Sequence, residues 1–264
     1  MEHTLAPVSI AALCVLAMLA TAGLGMLLRR VLPDHHTDDK SLDAVLRAIG
    51  LVVTLTALVL GFFVNSARAY YDGVSDELKK IGADLSVVDR TLQRYGPEAG
   101  AARTLLFQTA GSSVRLLWPG ATPTLPTLES GGPFSGLEQL EELIRELPAP
   151  DTRRQQLRQQ ALDTVGDVQR EALLLGEMSA SRLQPSLMLL LLSWLMVIYL
   201  GFGLVWPRSG TALAALALSS AACAGAILMI LELDSPLEGM VQISPNVFEA
   251  PLLRTSGVPG SALP

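Results

Sequence analysis

Four stretches of the chain run for about twenty residues or more without a charged side chain, at 8–28, 48–67, 183–207 and 209–231. At 1.5 Å rise per residue, roughly 20 apolar residues cover the ~30 Å hydrocarbon core of a bilayer. Backbone polar groups in lipid must be bonded within their own segment, so the pattern predicts four transmembrane helices. The connections pair them into two hairpins, 1–67 and 183–231. A polar loop over 29–47 joins the first pair. The second pair is joined by little more than Trp206-Pro207-Arg208-Ser209-Gly210, where proline and glycine stop one helix and allow the reversal. Trp206 suits an interfacial anchor. The first span is not read as a cleaved leader, although Ala20-Thr21-Ala22 imitates a cleavage site. Met1-Glu2-His3 supplies no positive charge, and the apolar run exceeds the roughly 7–15 residues of a signal core.

Between the hairpins, 68–182 reads as a helical extramembrane domain, and 232–264 as a C-terminal tail. Val74, Leu78, Ile81, Leu85, Val88, Leu92 and Tyr95 are spaced alternately by four and three, a heptad seam on one helix face. Gly96-Pro97 breaks that helix, and a second helix is expected over 98–118. A loop over 119–136 is rich in proline and glycine. An amphipathic helix over 137–147 follows, then Pro148-Ala149-Pro150, and Asp151 is placed to cap the next helix. Leu157, Ala161, Val165, Val168, Ala172, Leu175 and Met178 carry an apolar stripe towards Pro185, where the helix is expected to kink and continue into the third span. The second and third membrane helices thus extend beyond the bilayer as an antiparallel stalk. The expected class is an all-α membrane protein: four transmembrane helices in two hairpins flanking a helical extramembrane stalk.

Composition agrees. Half the residues are hydrophobic and 17% are charged, against roughly 25% in soluble domains, and the mean hydropathy is +0.42. The formal charge of −6, with no basic stripe to displace phosphate counterions, excludes a nucleic-acid binder. Cys14 and Cys223 both lie in apolar runs and read as buried free thiols. Charge does not orient the chain: Arg29, Arg30, Lys40, Arg47 and Arg208 on one side match Arg68, Lys79, Lys80, Arg170 and Arg182 on the other.

The second span carries Leu58-Val59-Leu60-Gly61-Phe62-Phe63-Val64-Asn65, followed by Tyr70-Tyr71-Asp72. This resembles the second membrane helix of bestrophins, where Leu-Gly-Phe is followed by Asn and, in bacterial members, Tyr-Asp. Leu60-Gly61-Phe62 and Asn65 fall in register, while Tyr71-Asp72 comes about one turn late. The stretch Leu231-Glu232-Leu233-Asp234-Ser235-Pro236-Leu237-Glu238-Gly239 is similar to the C-terminal signature of bacterial bestrophin-like domain proteins. The resemblance implies a homo-oligomer, a pentamer, of the inner membrane. In it the second helix lines a hydrophobic neck that passes inorganic anions, and the termini and stalk are cytosolic. No cofactor is implied.

Thr54, Leu58 and Phe62 are spaced i, i+4, i+8 and stack on one helix face. Copies around an axis would form three rings, two of them apolar, and narrow apolar rings gate by dewetting. Gly61 would admit a neighbouring helix; Asn65 and Arg68 would stand at the pore end. Thr54 departs from the apolar residue the resemblance calls for. The competing reading has Leu58 and Phe62 facing lipid or other helices. Arg68 either raises the local anion concentration or snorkels to the interface.

Candidate metal ligands are sparse. In animal bestrophins an acidic cluster after the last membrane helix binds calcium, but Glu232, Asp234 and Glu238 are three carboxylates where calcium wants six to eight oxygens. Interface solvation, or pairing with a stalk arginine, fits them better. The cluster Asp34, His35, His36, Thr37, Asp38 and Asp39 lies in a short loop, where adjacent histidines rarely converge on one ion. No HExxH, Walker loop or dinucleotide fingerprint is present, and all three histidines precede residue 37, so no enzyme activity is expected. The rival to a channel is a non-conducting scaffold or signalling protein that binds a partner through its stalk.

Overall fold

Long uninterrupted helices follow from long uninterrupted periodicity. In the computed structural model, which describes residues 2–31, 39–118, 125–128, 131–180, 185–205, 209–237 and 239–256, eight α-helices occur: α1 (Glu2–Val31), α2 (Asp39–Tyr95), α3 (Gly100–Leu117), α4 (Leu137–Arg145), α5 (Thr152–Ala180), α6 (Pro185–Val205), α7 (Gly210–Leu233) and α8 (Asn246–Ser256). No strand occurs among the described residues. The chain is an all-α membrane protein. Its four apolar helical segments long enough to span a bilayer are Val8–Val31, part of Asp43–Tyr95, Ser186–Val205 and Gly210–Leu233. Residues 181–184, through which the expected kink into the third span would run, and Trp206, Pro207 and Arg208 all lie outside the described residues.

The chain divides into two units. The first comprises residues 1–71, 182–235 and 239–241. Its core joins Cys14, Met18 and Ala22 of α1, Phe63 and Ala67 of α2, Leu191, Leu195 and Tyr199 of α6, and Leu216, Ile227 and Ile230 of α7. Lipid gives helices no hydrophobic reason to associate, so close van der Waals contact must do so, and small residues permit it. Gly25 lies on the backbone of Leu200 and Leu204, and Gly203 on the carbonyl of Ala22; a Cβ at either position would collide with main chain. Arg29 Nη1 donates to the Val205 carbonyl at 3.1 Å, satisfying a C-terminal carbonyl of α6. Ser209 caps α7, its Oγ accepting from Ala212 N at 3.3 Å.

The second unit comprises residues 72–181, 236–238 and 242–264. The α2 seam from Val74 to Tyr95 is buried throughout, no member being more than 3% exposed. Helix α2 stops at Gly96 (φ 126°). The next helix does not begin as α-helix at 98: Pro97–Ala99 is a 3-10 turn, and α3 starts at Gly100. Asp151 caps α5 as expected, its Oδ1 accepting from Arg154 N at 2.7 Å. In the Pro/Gly-rich loop, Ser112 Oγ accepts from Leu128 N at 2.5 Å and Ser113 Oγ from Phe134 N at 3.0 Å. The tail contains α8, which the sequence pattern did not reveal. Phe248 and Leu252 are fully buried, and Trp118 Nε1 donates to the Ile243 carbonyl at 2.6 Å.

Candidate functional site

Helix α2 has one covered face and one open face in its membrane segment. Ile49, Thr56, Phe63 and Ala67 are buried; at 100° per residue they fall on one side. On the other side Thr54, Leu58, Gly61, Phe62, Asn65 and Arg68 are all exposed, Leu58 by 73% and Phe62 by 65%. The apolar segment of α2 is 11% buried, against 28% for each of the other three. This helix has most of its apolar surface left for something outside the chain.

The open face has a definite chemistry. The Thr54 hydroxyl donates to the Gly50 carbonyl at 2.9 Å, so its only hydrogen is used within the helix and the side chain is less polar than its formula suggests. Among the described residues nothing beyond its own helix backbone and chain neighbours lies within 4 Å of where a Cβ of Gly61 would stand, so no described helix of the chain uses the notch. The Phe62 and Phe63 rings meet edge to face at 6.4 Å, one open and one in the core. Arg68 is exposed and engaged in an interaction.

The acidic end of α7 behaves otherwise than expected. Glu232 is buried, and instead of meeting solvent or an arginine its Oε2 accepts from Met240 N at 2.7 Å and Val241 N at 3.3 Å. It folds the chain back on itself. Gly239, at φ 95°, permits the turn, and a side chain there would meet the Glu232 carboxylate. Asp234 is half-buried and has its own interaction. Glu238 lies outside the described residues, as do Asp34, His35, His36, Thr37 and Asp38; Asp39 only begins α2. Among the described residues no group of three His, Cys, Asp or Glu could hold a metal ion.

The chain resembles known proteins. A sequence profile of the Bestrophin-like domain matches residues 15–248. No curated protein matches the chain. Solved structures do. One is a bacterial bestrophin homologue from Klebsiella pneumoniae carrying a Leu-to-Thr substitution, 16% identical, with a TM-score of 0.64 over 92% of this chain and 99% of that one. Another is a membrane protein carrying a Pro-to-Ala substitution, 18% identical, with a TM-score of 0.64 over 92% of this chain and 98% of that one. A third, a membrane protein with a Gly-to-Ala substitution, is 15% identical with a TM-score of 0.63 over 92% and 98%. At these identities the likeness establishes the fold.

Proposed function

Since the chain belongs to the bestrophin-like family, we propose that it is the subunit of a homo-oligomeric channel of the inner membrane, a pentamer by family resemblance, whose neck is formed by the open face of α2. The observation that carries this reading is the exposure of Leu58 and Phe62 on the least covered of the four apolar segments. Lipid alone would accept such a face. It would give no use to Gly61, which costs a helix roughly 1 kcal/mol relative to alanine and meets no other helix among the described residues. A second copy of α2 supplies one.

In this arrangement Leu58 and Phe62 form apolar rings that control conduction by dewetting, Thr54 forms a third ring, and Asn65 and Arg68 stand at the pore end. Passage of inorganic anions rests on the family resemblance. Fixed charge on α2 does not favour it, because Arg68 is followed by Asp72 and Asp76 before Lys79 and Lys80, and Lys79 Nζ is already paired with Asp76 Oδ1 at 2.9 Å. The resemblance also favours a cytosolic stalk.

The test is planar-bilayer recording of the purified oligomer under asymmetric chloride, with stoichiometry measured on the same sample. An intact oligomer passing an anion-selective current supports the reading. An intact oligomer with no current, in the native protein and after Leu58→Ala or Phe62→Ala, favours the non-conducting scaffold, and a lone subunit removes the neck.

A further inference from the structure

Helices α2 and α5 lie side by side in the second unit, with Met178 against Gly73. Beyond that contact, α2 presents Glu77, Lys80 and Asp84 at i, i+3 and i+7, one helix face. Asp167 and Glu171 of α5, at i and i+4, act on the same group of charges. Glu171 is the centre of the cluster. Its side chain is only 4% exposed, and Oε1 accepts from Lys80 Nζ at 2.5 Å. Its other oxygen, Oε2, is buried and has no donor, and Oε1 of Glu77 is in the same condition.

A buried carboxylate oxygen demands a hydrogen-bond donor. Asp84 stands one turn beyond Lys80 on the face of α2 that meets Glu171; as a carboxylate it can only accept, whereas a protonated carboxyl has the hydrogen that Oε2 lacks. Burial, then the charge of Glu171 and a hydrogen bond to it, push the Asp84 carboxyl above the usual aspartate range, with Lys80 partly offsetting them. The hydrogen bond to Glu171 raises Lys80 in turn, so the lysine keeps its charge.

We propose that Asp84 and Glu171 share one proton, and that gaining or losing it tightens or loosens the packing of α2 on α5, making the extramembrane unit a proton sensor. The surrounding charges have interactions of their own. Arg170 Nη2 pairs with Asp167 Oδ1 at 2.8 Å. From α4, Glu141 Oε2 accepts from Gln169 at 3.1 Å, and Arg145 pairs with Glu141 and Glu142. From α3, Arg103 Nε holds Asp89 Oδ1 at 2.7 Å. From α8, packed on Gly82, Glu249 is engaged in its own interaction. Lys80 is the cation that serves the pair, and it cannot neutralise two carboxylates.

Linkage sets the sign. With the folded value raised above the unfolded one, the native protein holds a proton that the unfolded chain has lost, so stability falls as pH rises through that window. The Lys80 contribution stays constant there, being lost only in the alkaline range. Such a sensor needs no ion conduction and stands or falls separately from the channel reading.

The experiment is amide hydrogen exchange of the detergent-solubilised full chain, corrected for intrinsic rate, from roughly pH 4 to pH 8, reading peptides over 77–90 and 163–175. The expected result is a severalfold loss of protection as pH rises. In Asp84→Asn, whose amide supplies the donor permanently, protection stays high and flat. An identical pH slope in the two proteins, or none in the native one, overturns the proposal. Infrared spectroscopy decides even if the variant fails to fold. A protonated-carboxyl band persisting above the ordinary aspartate range in the native protein supports the shared proton, and its absence overturns it.

Discussion

At the scale of single residues, two glycines of the membrane unit make opposite predictions. Gly203 touches the Ala22 carbonyl, so Gly203→Leu should cost at least the roughly 1–3 kcal/mol of overpacking and lower the melting temperature in detergent. Gly61 meets no other element among the described residues, so Gly61→Leu should leave folding of the subunit intact while disrupting the oligomer, read by native mass spectrometry. An unchanged oligomer would return that face of α2 to lipid. Leu58→Ala and Phe62→Ala belong to the same scale. On the proposed reading each widens an apolar ring, and each should raise single-channel conductance or weaken closure. The family motif Leu60-Gly61-Phe62 was legible in the sequence because it is local. The role of Glu232 was not, because its partners are backbone amides several residues further on, brought back by a turn that depends on Gly239.

At the scale of elements, helices whose periodicity is long are legible in the order of residues. The α2 seam at Val74, Leu78, Ile81, Leu85, Val88, Leu92 and Tyr95 is buried as a heptad pattern demands. Helix α8 escaped because it spans 11 residues and contains Pro251, too short and too interrupted for a periodic signal. Its burial comes from distant partners, with Phe248 near the rings of Trp118 and Phe134 at 6.4 and 6.0 Å. Phe248→Ala should therefore destabilise the extramembrane unit by about 3–5 kcal/mol, measured as a shift in its thermal unfolding, with little effect on the membrane helices. A small change would mean that α8 is dispensable to that core.

At the scale of the whole molecule, orientation is the property that charge counting left tied. The proposed channel reading has the stalk in the cytosol, and Lys79, exposed on α2, offers a test. Lys79→Cys in intact cells should resist a membrane-impermeant maleimide and label only after the envelope is opened, because Cys14 and Cys223 both lie within membrane helices. Immediate labelling would reverse the topology. Stoichiometry belongs to the same scale, since five-fold symmetry is a property of contacts between copies that no single chain displays.

The sequence alone determined the membrane class, the four spans and the α2 seam, because hydrophobic runs and heptads are local patterns that the bilayer and neighbouring helices read directly. Tertiary structure decided which face of α2 stays open, where Glu232 finds its donors, that the tail packs as a helix against Trp118, and that Lys80 meets Glu171. Each of these joins residues far apart in the chain or selects one side of a helix over another. Such choices are made by the packing of whole helices, and nothing in the local order of residues records them.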